Sequence, residues 1–126
     1  ESIFIPKLVK NENLKLHNLN FHGGSYEYLS SAIPSLNRLL NLMKNNSSLK
    51  IMIEGHTNGC PNGVEDSQIL SENRAKSIMN FLVSNGINQN RLMSKGFNCS
   101  KMLYPQMKTP LEQMMNRRVE ILVTDF

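Results

Sequence analysis

The stretch IMIEGHTNGCPNG, residues 51–63, joins a short apolar run to a polar loop. Residues 49–53 (LKIMI) suit an interior strand, because they are mostly apolar and too few for a helix. The loop that follows carries an imidazole, a hydroxyl, an amide and a thiol, on His56, Thr57, Asn58 and Cys60. These residues could form a catalytic or metal site, a ligand-binding loop or an ordinary strand end. The rest of the sequence is needed to choose among these interpretations.

The N-terminal part of the chain is expected to form a hairpin and then a helix. Apolar residues at 3–5 and 14–16 bracket a polar turn, and the alternation slips near His17, which indicates a bulge. A helix is expected to begin near Pro34, since proline is tolerated in the first turn, and to end at the run NNSS of residues 45–48. Its apolar stripe consists of Leu36, Leu39, Leu40 and Met43.

The remaining pattern predicts a helix, a strand, a short helix and a closing strand. The longer helix is expected over residues 66–85 with Gly86 as a left-handed cap, and the next strand over residues 91–97. The expected buried side of that helix consists of Ile69, Leu70, Ala75, Ile78, Met79 and Leu82. The run TPLE at residues 109–112 has the pattern of a capping box, so a short helix should precede a closing strand at residues 119–123. This order predicts an α+β fold, a two-layer sandwich with helices packed on one face of a mixed β-sheet.

Length and charge argue against several classes of protein. The chain of 126 residues has the size of one domain, expected to span residues 1–126, and no apolar run approaches the length of about 20 residues that crosses a bilayer. The start, ESIFIPKLVK, lacks the pattern of a secretion signal, so we expect that a signal has been removed or that the chain is a piece of a larger protein. The net charge of +4 comes from scattered basic residues, which argues against nucleic acid as a partner and favours a small or polymeric anion.

A catalytic or metal site is difficult to assemble from these residues. A nucleophile needs a histidine and an orienting group, yet no serine lies in a G-x-S-x-G elbow and the chain holds only two aspartates. His56, Cys60 and Cys99 are zinc-ligand types, but they lack the close spacing of metal sites. We therefore expect no catalytic residue, no metal and no cofactor. Cys60 and Cys99 each follow a strand, and they are either joined in a disulfide or are two independent loop thiols.

Arginines from two places in the sequence could converge on the loop. Arg74 lies on the longer predicted helix, and Arg117 and Arg118 immediately precede the closing strand. Because side chains alternate along a strand, one of that pair can point at the pocket while the other points to solvent. Two guanidinium groups beside hydroxyl and amide groups would suit a carboxylate-bearing ligand. By spacing alone, however, solvated surface charges are the more common interpretation of Arg74 and Arg118.

Several short segments occur together in one order along the chain, at the approximate spacing of a known family. They are residues 16–21 (LHNLNF), residues 53–57 (IEGHT), residues 70–75 (LSENRA), Gly86-Ile87 with Arg91-Leu92, Gly96-Phe97, and residues 116–121 (NRRVEI). In this combination the chain resembles the OmpA-like peptidoglycan-binding domain of outer-membrane proteins, peptidoglycan-associated lipoproteins and flagellar stator proteins. The resemblance covers residues 14–126, with residues 1–13 as a hairpin strand and turn, and it implies the same α+β sandwich.

The resemblance implies a binding module and not an enzyme. It implies non-covalent binding of the peptide stem of peptidoglycan at its diaminopimelate residue, in the periplasm, with outer-membrane or periplasmic proteins as partners of the parent protein. In the family, an aspartate after the GHT stretch typically contacts the ammonium group of diaminopimelate, and a helix arginine contacts a carboxylate. Carried over to this chain, the implied ligand residues are Thr57, Asn58, Arg74, Asn116 and Arg117, with Ser67 or Asp66 at the position of a family asparagine.

Two departures from the family pattern change the expected chemistry. Asn58 stands at the aspartate position, and the loop from it to Leu70 is about one residue longer than usual. The amide oxygen of Asn58 can accept from an ammonium group but brings no charge, so affinity could fall by about 1–2 kcal/mol. Asp66 either takes over this contact or serves as the N-cap of the helix that follows. The alternative function is a diverged protein-interaction module with weak or no peptidoglycan binding, in which Asn58, Cys60 and the longer loop serve a partner protein.

Overall fold

In the computed structural model, which describes residues 8–14, 16 and 18–126, three helices pack against a three-stranded mixed sheet. The elements are, in chain order, α1 (Ile33–Asn45), β1 (Lys50–Gly55), α2 (Val64–Ser84), β2 (Leu92–Gly96), α3 (Pro110–Asn116) and β3 (Val119–Asp125), with 3₁₀ turns at Ser30–Ala32 and Gln89–Arg91. The predicted α+β fold is confirmed, and so is the order of these elements. The predicted apolar stripe of α1 is buried in the core at Leu36, Leu39, Leu40 and Met43.

The central strand β1 positions the polar loop that follows it. It pairs in parallel with β2 and antiparallel with β3, where Glu54 lies directly opposite Glu120. At the end of β1, a β-carbon on Gly55 would collide with the backbone carbonyl of Ser71 on α2. The helix backbone therefore packs directly on the strand backbone, which holds the loop after β1 beside the first half of α2.

The buried face of α2 is polar in its first half and apolar in its second. Three of the predicted core residues are buried, namely Ala75, Ile78 and Leu82. The prediction for Ile69 was wrong, because this side chain is 61% exposed, and Leu70 and Met79 are only half-buried. The positions of the first half that turn inward carry Ser67, Ser71 and Arg74. Although α2 is the longest helix, neither it nor another helix in the described part of the chain is long and apolar enough to span a membrane.

The two ends of α2 agree only in part with the sequence rules. Gly86 has a φ of 98° and follows the helix as predicted, and the N–H of Ile87 donates to the carbonyl of Leu82, which closes a Schellman motif. At the other end, Gly63 is the N-cap and Val64 the first helical residue. The prediction of Asp66 as N-cap was therefore wrong, and Asp66 lies inside the first turn.

The segment before α1 runs along the outer edge of β3. The N–H groups of Asn11 and Leu14 donate to the carbonyls of Val123 and Ile121, both at 2.8 Å, and the N–H of Phe21 donates to that of Arg117 at 3.1 Å. The first strand of the predicted hairpin, at residues 3–5, and the predicted bulge at His17 lie outside the described residues. What the structure does describe is an edge segment that brings residues 20–26 next to the start of β3.

Candidate functional site

A pocket of about 420 Å³ opens where the loop after β1 meets the first half of α2. Its walls come from residues 23–26, the loop 57–62, one face of α2 and Arg117. On α2, positions 66, 67, 70, 73 and 74 recur at helical spacing and therefore share a face. Of the predicted ligand residues, the pocket brings together Thr57, Asn58, Asp66, Ser67, Arg74 and Arg117. Asn116 is fully buried behind the pocket and does not line it.

Arg74 is a fully buried guanidinium that three backbone carbonyls hold in place. Its Nε donates to the carbonyl of Ser25 at 2.8 Å, its Nη1 to that of His56 at 2.9 Å and its Nη2 to that of His22 at 3.1 Å. Burial, together with the charge of Arg117, lowers the pKa of Arg74 to about 10, so the group is still cationic at neutral pH. A guanidinium has five N–H groups, and two of those on Arg74 have no acceptor among the described residues. Arg74 is also one of the residues that line the pocket.

Arg117 and Arg118, immediately before β3, have different surroundings. The Nε of Arg117 donates to the carbonyl of Phe21 at 2.9 Å, and burial lowers the pKa of this pocket-lining arginine. Arg118 is only 6% exposed, with its Nε 2.6 Å from a carboxylate oxygen of Glu120 and its Nη2 donating to the carbonyl of Lys101 at 2.8 Å. The expectation that the second arginine points to solvent was wrong, because the loop containing Lys101 covers that face.

The pocket carries an excess of positive charge. Within the described part of the chain, the one ion pair joins Arg118 to Glu120, so neither Arg74 nor Arg117 faces a carboxylate. Asp66 is the one acid among the described residues that line the pocket, and its side chain is exposed. Buried charges are normally paired, because an unpaired charge loses its hydration without compensation. Two guanidinium groups without an acidic partner are the chemical groups that form forked hydrogen bonds with carboxylates.

Asn116 fixes the orientation of Asn58. The backbone N–H of Tyr104 donates to Oδ1 of Asn116 at 2.8 Å, which identifies the other end of that amide as its donor. This Nδ2 donates in turn to Oδ1 of Asn58 at 2.9 Å. The oxygen of Asn58 is thus engaged, and its Nδ2 is the end without a partner among the described residues. Position 58 therefore offers the pocket an N–H donor together with the second lone pair of its oxygen, and the sequence had suggested only the acceptor.

A disulfide between Cys60 and Cys99 ties the loop after β1 to the loop after β2. The two cysteines are therefore not independent thiols in the structure, and they offer no thiolate to a metal. Within the same loop, the hydroxyl of Thr57 donates to the carbonyl of Gly59 at 2.9 Å. This hydroxyl shapes the turn that carries Asn58, so Thr57 contributes mainly to the form of the pocket wall.

Sequence reasoning missed two kinds of pocket residue. Asn73 lies on α2 immediately before Arg74 and on the same face as Asp66, so helical spacing could have identified it. Tyr26 and two neighbouring glycines, residues 23 and 24, gave no local signal. They reach the pocket because the buried arginine binds the backbone carbonyl before the two glycines, at residue 22, and the one just before Tyr26, at residue 25.

Comparison with known proteins places the chain among proteins of one family. A sequence model described as the OmpA family matches residues 20–117. Outer membrane protein A of Buchnera aphidicola subsp. Schizaphis graminum is 35% identical over 98 residues, which are 75% of this chain and 28% of that protein. A Gloeobacter violaceus protein named photosystem I P700 chlorophyll a apoprotein A2 is 35% identical over 97 residues, 73% of this chain and 11% of that protein. The chain thus spans less than a third of the length of either relative.

Solved structures share the fold at lower identity. The peptidoglycan-associated lipoprotein from Burkholderia pseudomallei has a TM-score of 0.76 at 18% identity, covering 83% of this chain and 87% of that one. The periplasmic domain of Helicobacter pylori MotB has a TM-score of 0.76 at 22% identity, covering 94% of this chain and 76% of that one. Likeness at this level of identity establishes the architecture and leaves the ligand to be argued from the pocket.

Proposed function

The chain belongs to the OmpA family, and from this membership and the two-arginine pocket we propose that it is a non-covalent peptidoglycan-binding module. In this role it anchors an outer-membrane or periplasmic assembly to the cell wall through the peptide stem. The observation that carries the proposal is the buried guanidinium of Arg74, which lines the pocket and has no carboxylate partner among the described residues.

The ligand that suits this pocket is the diaminopimelate residue of the stem. Its side chain ends in a carboxylate and an ammonium group on one carbon. The carboxylate fits between Arg74 and Arg117, because planar guanidinium groups form forked hydrogen bonds with carboxylates. A lysine-containing stem presents only the ammonium group to the same two arginines, so like charges would meet. The pocket therefore favours diaminopimelate over lysine.

The proposed location follows from the relatives and not from the chain itself. One relative is named an outer membrane protein, and a structural neighbour is named a peptidoglycan-associated lipoprotein. We infer that the chain works in the periplasm, associated with the outer membrane. Further outer-membrane or periplasmic proteins are then partners of the rest of the parent protein.

The direct test is calorimetric titration of the chain with two soluble stem peptides, one containing diaminopimelate and one containing lysine. We expect one site per chain and at least about a tenfold preference for the diaminopimelate peptide, since one forked hydrogen-bonded pair is lost with lysine. Equal affinities would overturn the assignment of the carboxylate to the arginines. Binding to neither peptide would overturn the function itself.

Asp66 is the residue that we assign to the ammonium group of the ligand. It lines the pocket from the first turn of α2, on the face that carries Arg74 further along. Because its side chain is exposed, the contact is screened, and Asp66→Asn should weaken binding of the diaminopimelate peptide only about two- to fivefold. Glu65→Gln is the matched control, since Glu65 is an exposed acid of the same turn that does not line the pocket. If Asp66→Asn bound like the wild type in the same titration, the assignment would be wrong.

A protein-interaction module is the second candidate function, and the rim of the pocket is the observation that favours it. Ile69, which lines the pocket, is 61% exposed, and Pro61 of the same lining is also exposed. Exposed apolar groups at the edge of a polar pocket could be covered by a protein partner. Under this alternative, both stem peptides bind weakly or not at all, and the peptide titration separates the two functions.

A further inference from the structure

Three metal-ligating side chains meet on the face of the sheet opposite α2. Glu54 on β1 lies directly across from Glu120 on β3, and His56 follows β1 on the same face. The backbone N–H of His56 donates to the carbonyl of Arg118 at 2.9 Å. One ligand atom from each of the three side chains lies within 4.8 Å of the other two. The register of two strands therefore assembles this cluster, which does not belong to the stem-peptide pocket.

The imidazole of His56 is the unusual member of the cluster. It is only 1% exposed, and neither Nδ1 nor Nε2 has a hydrogen-bond partner among the described residues. Its ring stacks on Phe97 with the centroids 5.5 Å apart and the planes 11° from parallel, so packing fixes the ring while its two nitrogens stay unbonded. Buried polar atoms normally have a partner, because an unmade hydrogen bond costs the full loss of hydration. Both ring nitrogens of His56 are therefore free of protein partners among the described residues and can bind a further group.

The two glutamates differ in how they are held. Glu120 accepts from Arg118 and from Nδ2 of Asn13, both at 2.6 Å, and a carboxylate keeps further lone pairs when two donors orient it. Glu54 is 9% exposed and has no hydrogen bond or ion pair among the described residues. Two carboxylates directly opposite each other on neighbouring strands repel, and a shared cation relieves that repulsion.

We propose that Glu54, His56 and Glu120 bind one Zn²⁺ ion. One imidazole nitrogen and two carboxylate oxygens are a three-ligand zinc set that leaves a fourth position for water, while Ca²⁺ and Mg²⁺ prefer six or more oxygen ligands. Zinc binds the neutral form of an imidazole, through whichever ring nitrogen carries no proton. The donors to Glu120 act as the groups that orient a metal ligand.

The charges around the cluster set the strength of this site. Arg118, Lys95 and Lys101 all face it, and the two lysine ammonium groups lie over the ring of Phe97 at 5.1 Å and 4.3 Å from its centroid. These cations oppose binding of another positive ion by Coulomb repulsion. An imidazole nitrogen suits Zn²⁺ better than Mg²⁺ or Ca²⁺, so its bond offsets the repulsion for zinc alone. The site should therefore discriminate strongly between zinc and the alkaline-earth ions.

The experiment is calorimetric titration of the chelator-treated chain with ZnCl₂, MgCl₂ and CaCl₂, followed by Co²⁺ as a spectroscopic substitute. We expect one Zn²⁺ per chain, no heat from Mg²⁺ or Ca²⁺, and visible Co²⁺ absorption of a four-coordinate site. Glu54→Gln, which preserves shape, should weaken Zn²⁺ binding at least about tenfold. The controls Glu27→Gln and His22→Ala change exposed residues outside the cluster and should leave the affinity within about twofold.

Three outcomes would overturn the zinc site. They are the absence of stoichiometric zinc binding, an undiminished affinity in Glu54→Gln, and a loss of binding in His22→Ala, which would place the ion on the surface. Thermal unfolding of each variant without metal shows whether it is folded. The rise in Tm on adding Zn²⁺, expected for the wild type and the two controls but not for Glu54→Gln, provides a second measurement.

Discussion

Replacing Arg74 by alanine should lower the affinity for a diaminopimelate-containing stem peptide about a hundredfold. The two N–H groups of Arg74 that have no acceptor among the described residues would otherwise donate to the ligand carboxylate, and hydrogen bonds to charged groups contribute about 1.5–3 kcal/mol each. A combined loss of about 3 kcal/mol corresponds to a hundredfold change in Kd. Calorimetric titration of the folded variant measures this loss.

The same change should also destabilise the domain by about 2–4 kcal/mol, because three backbone carbonyls lose a charged donor. Arg91 provides a matched control. It likewise binds three backbone carbonyls, those of Leu49, Met43 and Asn46, but it does not line the pocket. Arg91→Ala should therefore lower Tm without weakening ligand binding. If Arg74→Ala, shown to be folded by circular dichroism, bound the peptide like the wild type, the pocket would not be the binding site.

The order of the elements could be predicted because it depends on local patterns. The strand at residues 49–53, the stripe of α1 and the glycine after α2 each follow from a few neighbouring residues. The errors arose where tertiary surroundings override such patterns. Ile69 has an apolar side chain on a helix face that borders a polar pocket, and Asp66 has the chemistry of an N-cap but lies inside a helix that Gly63 begins.

The members of the site could be named from the sequence, but their electrostatics could not. The resemblance pointed to Arg74 and Arg117, and the pocket contains both. Arg118 is buried because it donates to the carbonyl of Lys101. The direction of the Asn58 amide is set by Asn116, which the backbone N–H of Tyr104 orients in turn. Contacts of this kind join residues that are far apart in sequence, so no spacing rule reports them.

Replacing Asn58 by aspartate should raise the affinity for the diaminopimelate peptide about five- to thirtyfold, or about 1–2 kcal/mol. In the Asn58→Asp variant one carboxylate oxygen can accept from Nδ2 of Asn116, as the amide oxygen does now. The other oxygen then stands where the Asn58 N–H donor is now, so a charged acceptor faces the pocket. A charged acceptor binds an ammonium group about twice as strongly as a neutral one. Titration of both proteins with the same peptide measures the gain.

The control for this gain is a diaminopimelate peptide whose side-chain amine is acetylated, because the acetylated nitrogen is neutral. Its affinity should not rise in Asn58→Asp, and the unengaged amide N–H of Asn58 should make the wild type the better partner for it.

A double-mutant cycle with Asp66→Asn then tests whether the two positions share one ligand group. If Asp66 holds the ammonium group in the wild type, the gain from Asn58→Asp should be larger in the Asp66→Asn background, where that group has no other acid in the described pocket. Equal gains in both backgrounds would show that Asp66 acts independently of the ammonium group, and no gain in either would show that the bound ligand presents no cation to position 58.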